Sequence, residues 1–185
     1  MIFDPTPLPG VYIVKPQRFN DNRGYFMETY NKAEFTRNIG SVEFIQDNES
    51  ESVMGVLRGL HLQSGAHSQA KLVRVVQGKV FDVVVDLRPD SMTYGKWFGV
   101  ELSHENGFMV FVPRGFAHGF VVLSPKARFV YKVDNSYAPD SEVTIAYDDS
   151  QLAIRWPEAP GGYILSDKDR QKAISFREYC RRFRD

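Results

Sequence analysis

Short runs of strand-forming residues recur along this chain at nearly even spacing, and clusters of turn residues close most of them. The runs fall at 11–14, 24–30, 42–52, 56–63, 71–76, 80–88, 97–103, 108–112, 118–123, 128–133 and 143–147. Between them stand Asp21-Asn22-Arg23-Gly24, Ser64-Gly65, Gln77-Gly78, Arg88-Pro89-Asp90-Ser91, Glu105-Asn106-Gly107 and Pro113-Arg114-Gly115. Gly, Pro, Asn and Asp supply the backbone angles that tight reversals need, so the pattern describes many short antiparallel strands. Such strands bury their apolar faces by packing sheet on sheet, and the expected fold is all-β, a jelly-roll β-sandwich or barrel. Helical patterning is confined to a short peripheral piece at 32–38 and a C-terminal tail at 168–183. With 185 residues and no repeat or linker, residues 1–185 are expected to form a single domain.

One strand is unusual. Gln46, Asn48, Ser50 and Ser52 occupy every second position, and side chains in a strand alternate faces, so these amides and hydroxyls point the same way. The inner face of a small β-domain is normally Val, Ile or Leu. A polar inner face predicts a wet, ligand-binding cavity, with Arg58 and His61 of Arg58-Gly59-Leu60-His61 at its edge. The alternative is an ordinary solvent-facing strand. In the 80–88 run, Asp82 and Asp86 share a face. Unpaired carboxylates are costly to bury, so that face is expected to meet water, bases or a polar cavity. Asp82 suits the orientation of a cavity histidine, and Asp86 suits a local ion pair with Arg88.

Charge excludes some functions. Lys plus Arg and Asp plus Glu both number 23, leaving no net field to draw the protein to nucleic acid or anionic lipid. The basic tail residues Arg177, Arg181, Arg182 and Arg184 are interleaved with Glu178 and Asp185, which reads as a solvated helix face. A single cysteine, Cys180, precludes an internal disulfide and fits a reducing compartment. Met1-Ile2-Phe3-Asp4-Pro5 has neither a basic leader nor an apolar run, and no membrane-length segment follows, so a cytoplasmic location is expected.

Metal-binding jelly rolls of the cupin type draw three His and a Glu from two motifs. The second motif is legible here as Gly107, then Pro113-Arg114-Gly115-Phe116-Ala117-His118. The first is degraded. Lys71 stands where the Glu belongs and Gly65 where the first His belongs, although His67 falls on the second His position. A lysine ammonium repels a divalent ion from a shared cavity, so neither a metal nor another cofactor is expected. The rival, a metal held by His61, His67 and His118, stays open at this stage. A cavity lysine can itself stabilise an oxyanion, the task of the missing Lewis acid. With an imidazole base and a phenol such as Tyr131, the set suits moving a proton next to a carbonyl; a core tyrosine is the competing reading of Tyr131.

Further motifs extend the pattern. They include Asp21-Asn22-Arg23-Gly24-Tyr25-Phe26-Met27-Glu28, Gln46-Asp47-Asn48-Glu49-Ser50, Arg58-Gly59-Leu60-His61-Leu62-Gln63 and Ala70-Lys71-Leu72-Val73-Arg74. Later come Phe81-Asp82-Val83-Val84-Val85-Asp86-Leu87-Arg88, Tyr131-Lys132, Trp156-Pro157 and Ser166-Asp167-Lys168-Asp169. In this order, over nearly the whole chain, they resemble the dTDP-4-dehydrorhamnose 3,5-epimerase family of deoxysugar biosynthesis.

The resemblance implies a cofactor-free epimerase acting on a dTDP-4-keto-6-deoxyhexose. Its 4-ketone acidifies the hydrogens on C3 and C5, and removing either gives an enolate. Carried onto this chain, His61 is the general base, Asp169 its carboxylate partner, Lys71 the bearer of enolate charge, and Tyr131 the acid on the opposite ring face. Arg58 and Arg23 suit the diphosphate, because guanidinium forks match phosphate oxygens. Phe26 and Tyr137 suit packing on the thymine or sugar, Glu28 and Gln46 the polar edges, and Asn48 and His118 the sugar hydroxyls. The base-binding elements of the family can come from a partner subunit, so Arg23, Phe26 and Glu28 imply a homodimer. A single-carbon epimerase remains the nearest rival, since it needs the same His, Lys and Tyr.

Spacing poses one problem. Arg58 and His61 are an odd number apart and would fall on opposite faces of a regular strand. A bulge at Gly59 resolves it, or else Arg58 reaches in from the rim. Tyr147-Asp148-Asp149 departs from the Trp expected before the Asp pair, the loop residue His67 is expected to be exposed, and 173–185 matches no functional motif.

Overall fold

The computed structural model describes residues 1–183 and forms two β-sheets packed face to face, a jelly-roll sandwich with a small hairpin set apart. The strands in chain order are β1 Ile2–Pro5, β2 Tyr12–Lys15, β3 Arg18–Asp21, β4 Gly24–Met27, β5 Gln46–Val53, β6 Leu57–Gln63 and β7 Lys71–Gln77. There follow β8 Lys79–Asp86, β9 Trp97–Ser103, β10 Met109–Val112, β11 Phe116–Val122, β12 Lys126–Val133 and β13 Glu142–Thr144. A six-stranded sheet has the order β1-β2-β10-β7-β12-β5, a five-stranded sheet the order β13-β6-β11-β8-β9, and β3-β4 pair alone.

Alternation of side chains along these strands builds the core. From the six-stranded sheet Val73, Val75, Val110, Val112 and Phe129 point inward to meet Val80, Val84, Leu102, Phe120 and Val122 of the other. Burying each such side chain is worth roughly 1.5–3 kcal/mol, and this shared layer holds the sheets together. The outer face of the five-stranded sheet carries Leu60, Leu62, Val83, Val85 and Leu87, covered by Trp156, Phe176 and Tyr179. The outer face of the six-stranded sheet is covered by α1, Lys32–Asn38, whose Phe35 packs with Leu72, Met109 and Phe111. Asn31 caps that helix by accepting from the Glu34 amide.

The helix expected at 168–183 is two helices, α2 Asp167–Gln171 and α3 Phe176–Phe183. Between them Ile174 bridges to Ile145, exchanging backbone bonds with Thr144 and Ala146. Pairing with the sheet edge and partly burying Ile174 outweighs the local helical preference there, and Ser175 restarts the helix by accepting from the Glu178 amide. The tail residues Arg184 and Asp185 lie outside the described residues. Among the described residues no helix is long and apolar enough to cross a membrane.

A candidate active site between the two sheets

The Gly59 problem is resolved by a bulge. Across β6 and β11, His118 is opposite His61 while Phe120 is opposite Arg58, so β6 spends one extra residue between those pairs. Gly59 has φ +120°, and a Cβ there would lie 2.6 Å from the Gly119 Cα, so only glycine fits. The extra residue returns both Arg58 and His61 to the inner face.

They open into a cavity of about 150 Å³ lined by Ser50, Arg58, His61, Lys71, His118, Phe120, Phe129 and Tyr131. The two sheets contribute equally. Ser50, Lys71, Phe129 and Tyr131 come from the six-stranded sheet, and Arg58, His61, His118 and Phe120 from the five-stranded one. The polar row of β5 does face inward: Asn48 pairs with Tyr131 and Ser50 with Phe129, while Ser52 accepts from the Arg58 Nε at 3.1 Å. Gln46 donates to the Asn48 side-chain oxygen at 2.7 Å.

His61 Nε2 lies 2.5 Å from Asp169 Oδ1. The carboxylate is held by its own helix start: Ser166 caps α2, accepting from the Asp169 amide and donating its hydroxyl to Asp169 Oδ2 at 2.8 Å. Burial alone would raise the Asp169 carboxyl, but the bonds from His61 and Ser166 and the nearby Lys168 charge outweigh it and hold it below its ordinary value. An ionised carboxylate only accepts, so it fixes the proton on Nε2 and leaves a lone pair on Nδ1.

A second imidazole–carboxylate pair stands beside the first. His118 Nε2 lies 2.8 Å from Asp82 Oδ2. Asp82 is 0 % exposed and sits behind His118 rather than on the cavity wall, and its Oδ1 has no hydrogen-bond partner. Burial pushes its carboxyl up, against the opposing pull of His118 and Lys71. The face of β8 that carries Asp82 and Asp86 is therefore buried, and each carboxylate is met by a base. Asp86 accepts from Arg88 at 2.7 Å and from Ser91 and Thr93, which together outweigh burial and hold it at about 2.

Lys71 keeps partial access to solvent through the cavity, but the protein surrounding it strips water from the ammonium. That burial lowers it to about 8, against the raising fields of Glu142 and Asp82 and with the lowering field of Lys168. Tyr131 is raised, by burial first, with Arg58 opposing.

The candidate residues do not all gather here. Arg23, Phe26 and Glu28 belong to the β3-β4 hairpin and its exit, and none lines the cavity. The Arg23 side chain is 86 % exposed and bonded to Asp21, and Phe26 is 68 % exposed. Tyr137 is exposed at the rim, donating to Glu142 Oε2 at 2.9 Å. Glu142 and Lys168, which pattern reading passed over, form a 2.5 Å ion pair whose charges act on Lys71 and Tyr131. Lys168 adjoins Asp169 in a legible motif, whereas nothing in the Glu142 neighbourhood marks it. His67 is exposed, and among the described residues no group of three or more His, Cys, Asp or Glu is placed to hold a metal ion.

The family model described as dTDP-4-dehydrorhamnose 3,5-epimerase matches residues 5–177. The chain belongs to this family. It is 49 % identical over 165 residues to the Escherichia coli K12 dTDP-4-dehydrorhamnose 3,5-epimerase, covering 89 % of each chain. The crystal structure of the enzyme so named from Elizabethkingia anophelis is 52 % identical with a TM-score of 0.92, over 96 % of this chain and 97 % of that one. The Legionella pneumophila dTDP-6-deoxy-D-glucose-3,5-epimerase, solved in complex with dTDP-4-keto-L-rhamnose, is 45 % identical with a TM-score of 0.90 over 94 % and 92 %. The chain is thus an isomerase of nucleotide sugars on a cupin-like sandwich.

Proposed function

We propose that residues 1–185 form one domain that inverts C3 and C5 of a dTDP-4-keto-6-deoxyhexose, using His61 as base and Tyr131 as acid from opposite sheets. The observation that carries this is their placement. Inversion needs a proton taken from one face of the sugar and returned to the other, and a ring lying between the sheets meets His61 on one side and Tyr131 on the other. His61 Nδ1 removes the proton, with Asp169 stabilising the imidazolium that forms. Electrons move into the C4 carbonyl, and the Lys71 ammonium stabilises the resulting enolate oxygen. Tyr131 then delivers its proton to the carbanion carbon, and before the second round the His61 imidazolium gives its proton to solvent while the Tyr131 phenolate takes one back from it.

The enclosed volume, about 150 Å³, is well below the roughly 300–1,000 Å³ of a typical ligand pocket and suits one sugar ring. The diphosphate and thymine lie outside it, where Arg58 and a hairpin carrying Arg23, Phe26 and Glu28 meet them. Because that hairpin is exposed and apart from the cavity of its own chain, it serves a second copy, making the active unit a homodimer. Zero net charge fits a cytoplasmic protein that engages neither nucleic acid nor membranes. Incubation with the 4-keto-6-deoxyglucose nucleotide, a rhamnose-forming 4-ketoreductase and reduced nicotinamide cofactor tests the activity. Formation of the rhamnose nucleotide is expected; unchanged hexose configuration would refute it.

A further inference from the structure

The cavity has one apolar patch. Of the eight side chains that line it, six bring hydroxyl, guanidinium, imidazole, ammonium or phenol groups, and the remaining two are Phe120 and Phe129. Their rings stack at 4.2 Å with planes 14° apart, one from each sheet, so the patch spans the seam of the sandwich. Each is mostly core, with only 5 % of Phe120 and 2 % of Phe129 exposed. That sliver is too small for the face of a sugar ring and suits a single methyl group. The Phe129 ring also lies 6.2 Å from that of Tyr131 and 5.9 Å from that of His118, which puts the patch between the phenol and the second imidazole.

A 4-keto-6-deoxyhexose has one apolar substituent, the C6 methyl, and it is attached to C5, one of the carbons that Tyr131 protonates in the reading above. We propose that the stacked Phe120–Phe129 pair is the subsite for this methyl and selects 6-deoxy over 6-hydroxy nucleotide sugars. This inference rests on the functional reading. A hydroxyl added at C6 would be stripped of water against two aromatic rings and find no partner on them. An apolar pocket rejects an added hydroxyl by about 100-fold at most, which sets the scale of discrimination.

The test uses two nucleotide sugars that lack the ketone and so do not react: dTDP-glucose and dTDP-6-deoxyglucose. Calorimetric titration of the wild-type protein is expected to show the 6-deoxy ligand binding about 10- to 100-fold more tightly. Phe120→Leu, which stays apolar but loses the ring stack, should shrink that ratio while leaving affinity for thymidine diphosphate unchanged. Equal wild-type affinities, with measurable binding of both, would overturn the methyl subsite and leave the epimerase reading standing. An unaltered ratio in folded Phe120→Leu would also overturn it, and the wild-type ratio decides if that variant does not fold. Absence of binding by either sugar and by thymidine diphosphate would overturn both readings.

Discussion

His61 and His118 are register partners across β6 and β11, so two imidazoles rise side by side from one sheet face, each backed by a carboxylate from a different element. Asp169 comes from α2 and Asp82 from β8. The two pairs are not equivalent. Asp169 is held below its ordinary value, whereas burial holds Asp82 above it, and only the first carboxylate has both oxygens bonded.

Asp169→Asn should lower turnover by about 100-fold or more, because an amide neither fixes the His61 tautomer nor stabilises its cation. His61→Ala should abolish turnover while leaving nucleotide affinity nearly intact. Steady-state rates with calorimetric binding check both, and wild-type turnover in either variant would remove His61 from the role of base.

In the proposed mechanism Lys71 works as an ammonium, and it is held at about 8, so kcat/KM is predicted to fall as pH rises through that region. The sign follows from the charges that face it. Glu142 and Asp82 are negative and raise its value, and Lys168 is positive and lowers it. Asp82→Asn removes one raising field, and the alkaline limb of the profile should move to lower pH. Glu142→Gln should move it the same way. A limb that stays in place in both variants would detach it from Lys71. Below that region Lys71→Met should cost on the order of 100-fold in kcat, and the cost should shrink at higher pH, where the wild-type amine is itself neutral.

Much of this site was legible before the fold was known. Motif order marked His61, Lys71, Tyr131 and Asp169, and alternation in β5 announced a polar inner wall. The pairing of Asp82 with a cavity histidine and of Asp86 with Arg88 was legible too, although not that both carboxylates would be fully buried. Glu142 was hidden, because its significance comes from a tertiary ion pair with Lys168, 26 positions away. The strands β1 and β3 and the break at Ile174 escaped for a similar reason, since partner strands create them more than local preference does.

Tyr131→Phe separates proton removal from inversion. His61 can still take a proton and return it to the same face, so substrate should exchange hydrogen with solvent without changing configuration. Mass spectrometry in heavy water reads the exchange and NMR the configuration. Inverted product at the wild-type rate would exclude Tyr131 as the acid.

The hairpin makes a prediction that mixing can check. Arg23→Ala should chiefly raise KM, since the proposed function assigns it to the non-reacting end of the substrate. If the hairpin completes the site of a second copy, co-expressing Arg23→Ala with His61→Ala assembles one intact site per mixed dimer. Turnover at low substrate should then exceed that of either variant alone. No gain, with mixed dimers verified, would place the hairpin over its own cavity.

Asp86 bears on stability. Its folded value of about 2 lies below the ordinary carboxylate value of 3.8, so its contribution is complete above pH 4 and is lost as pH falls through about 2. Asp86→Asn should destabilise the fold by about 1–2 kcal/mol, because it weakens the acceptor for Ser91, Thr93 and a guanidinium that is still partly in water. Denaturant unfolding at neutral pH measures this, and an unchanged midpoint would contradict it.

The central claim, double inversion by groups on opposite sheets, is tested most directly by proton NMR of the product formed in deuterated water from the 4-keto-6-deoxyglucose nucleotide. Deuterium at both C3 and C5, with both centres inverted, is the predicted result. Deuterium and inversion confined to one carbon would contradict it.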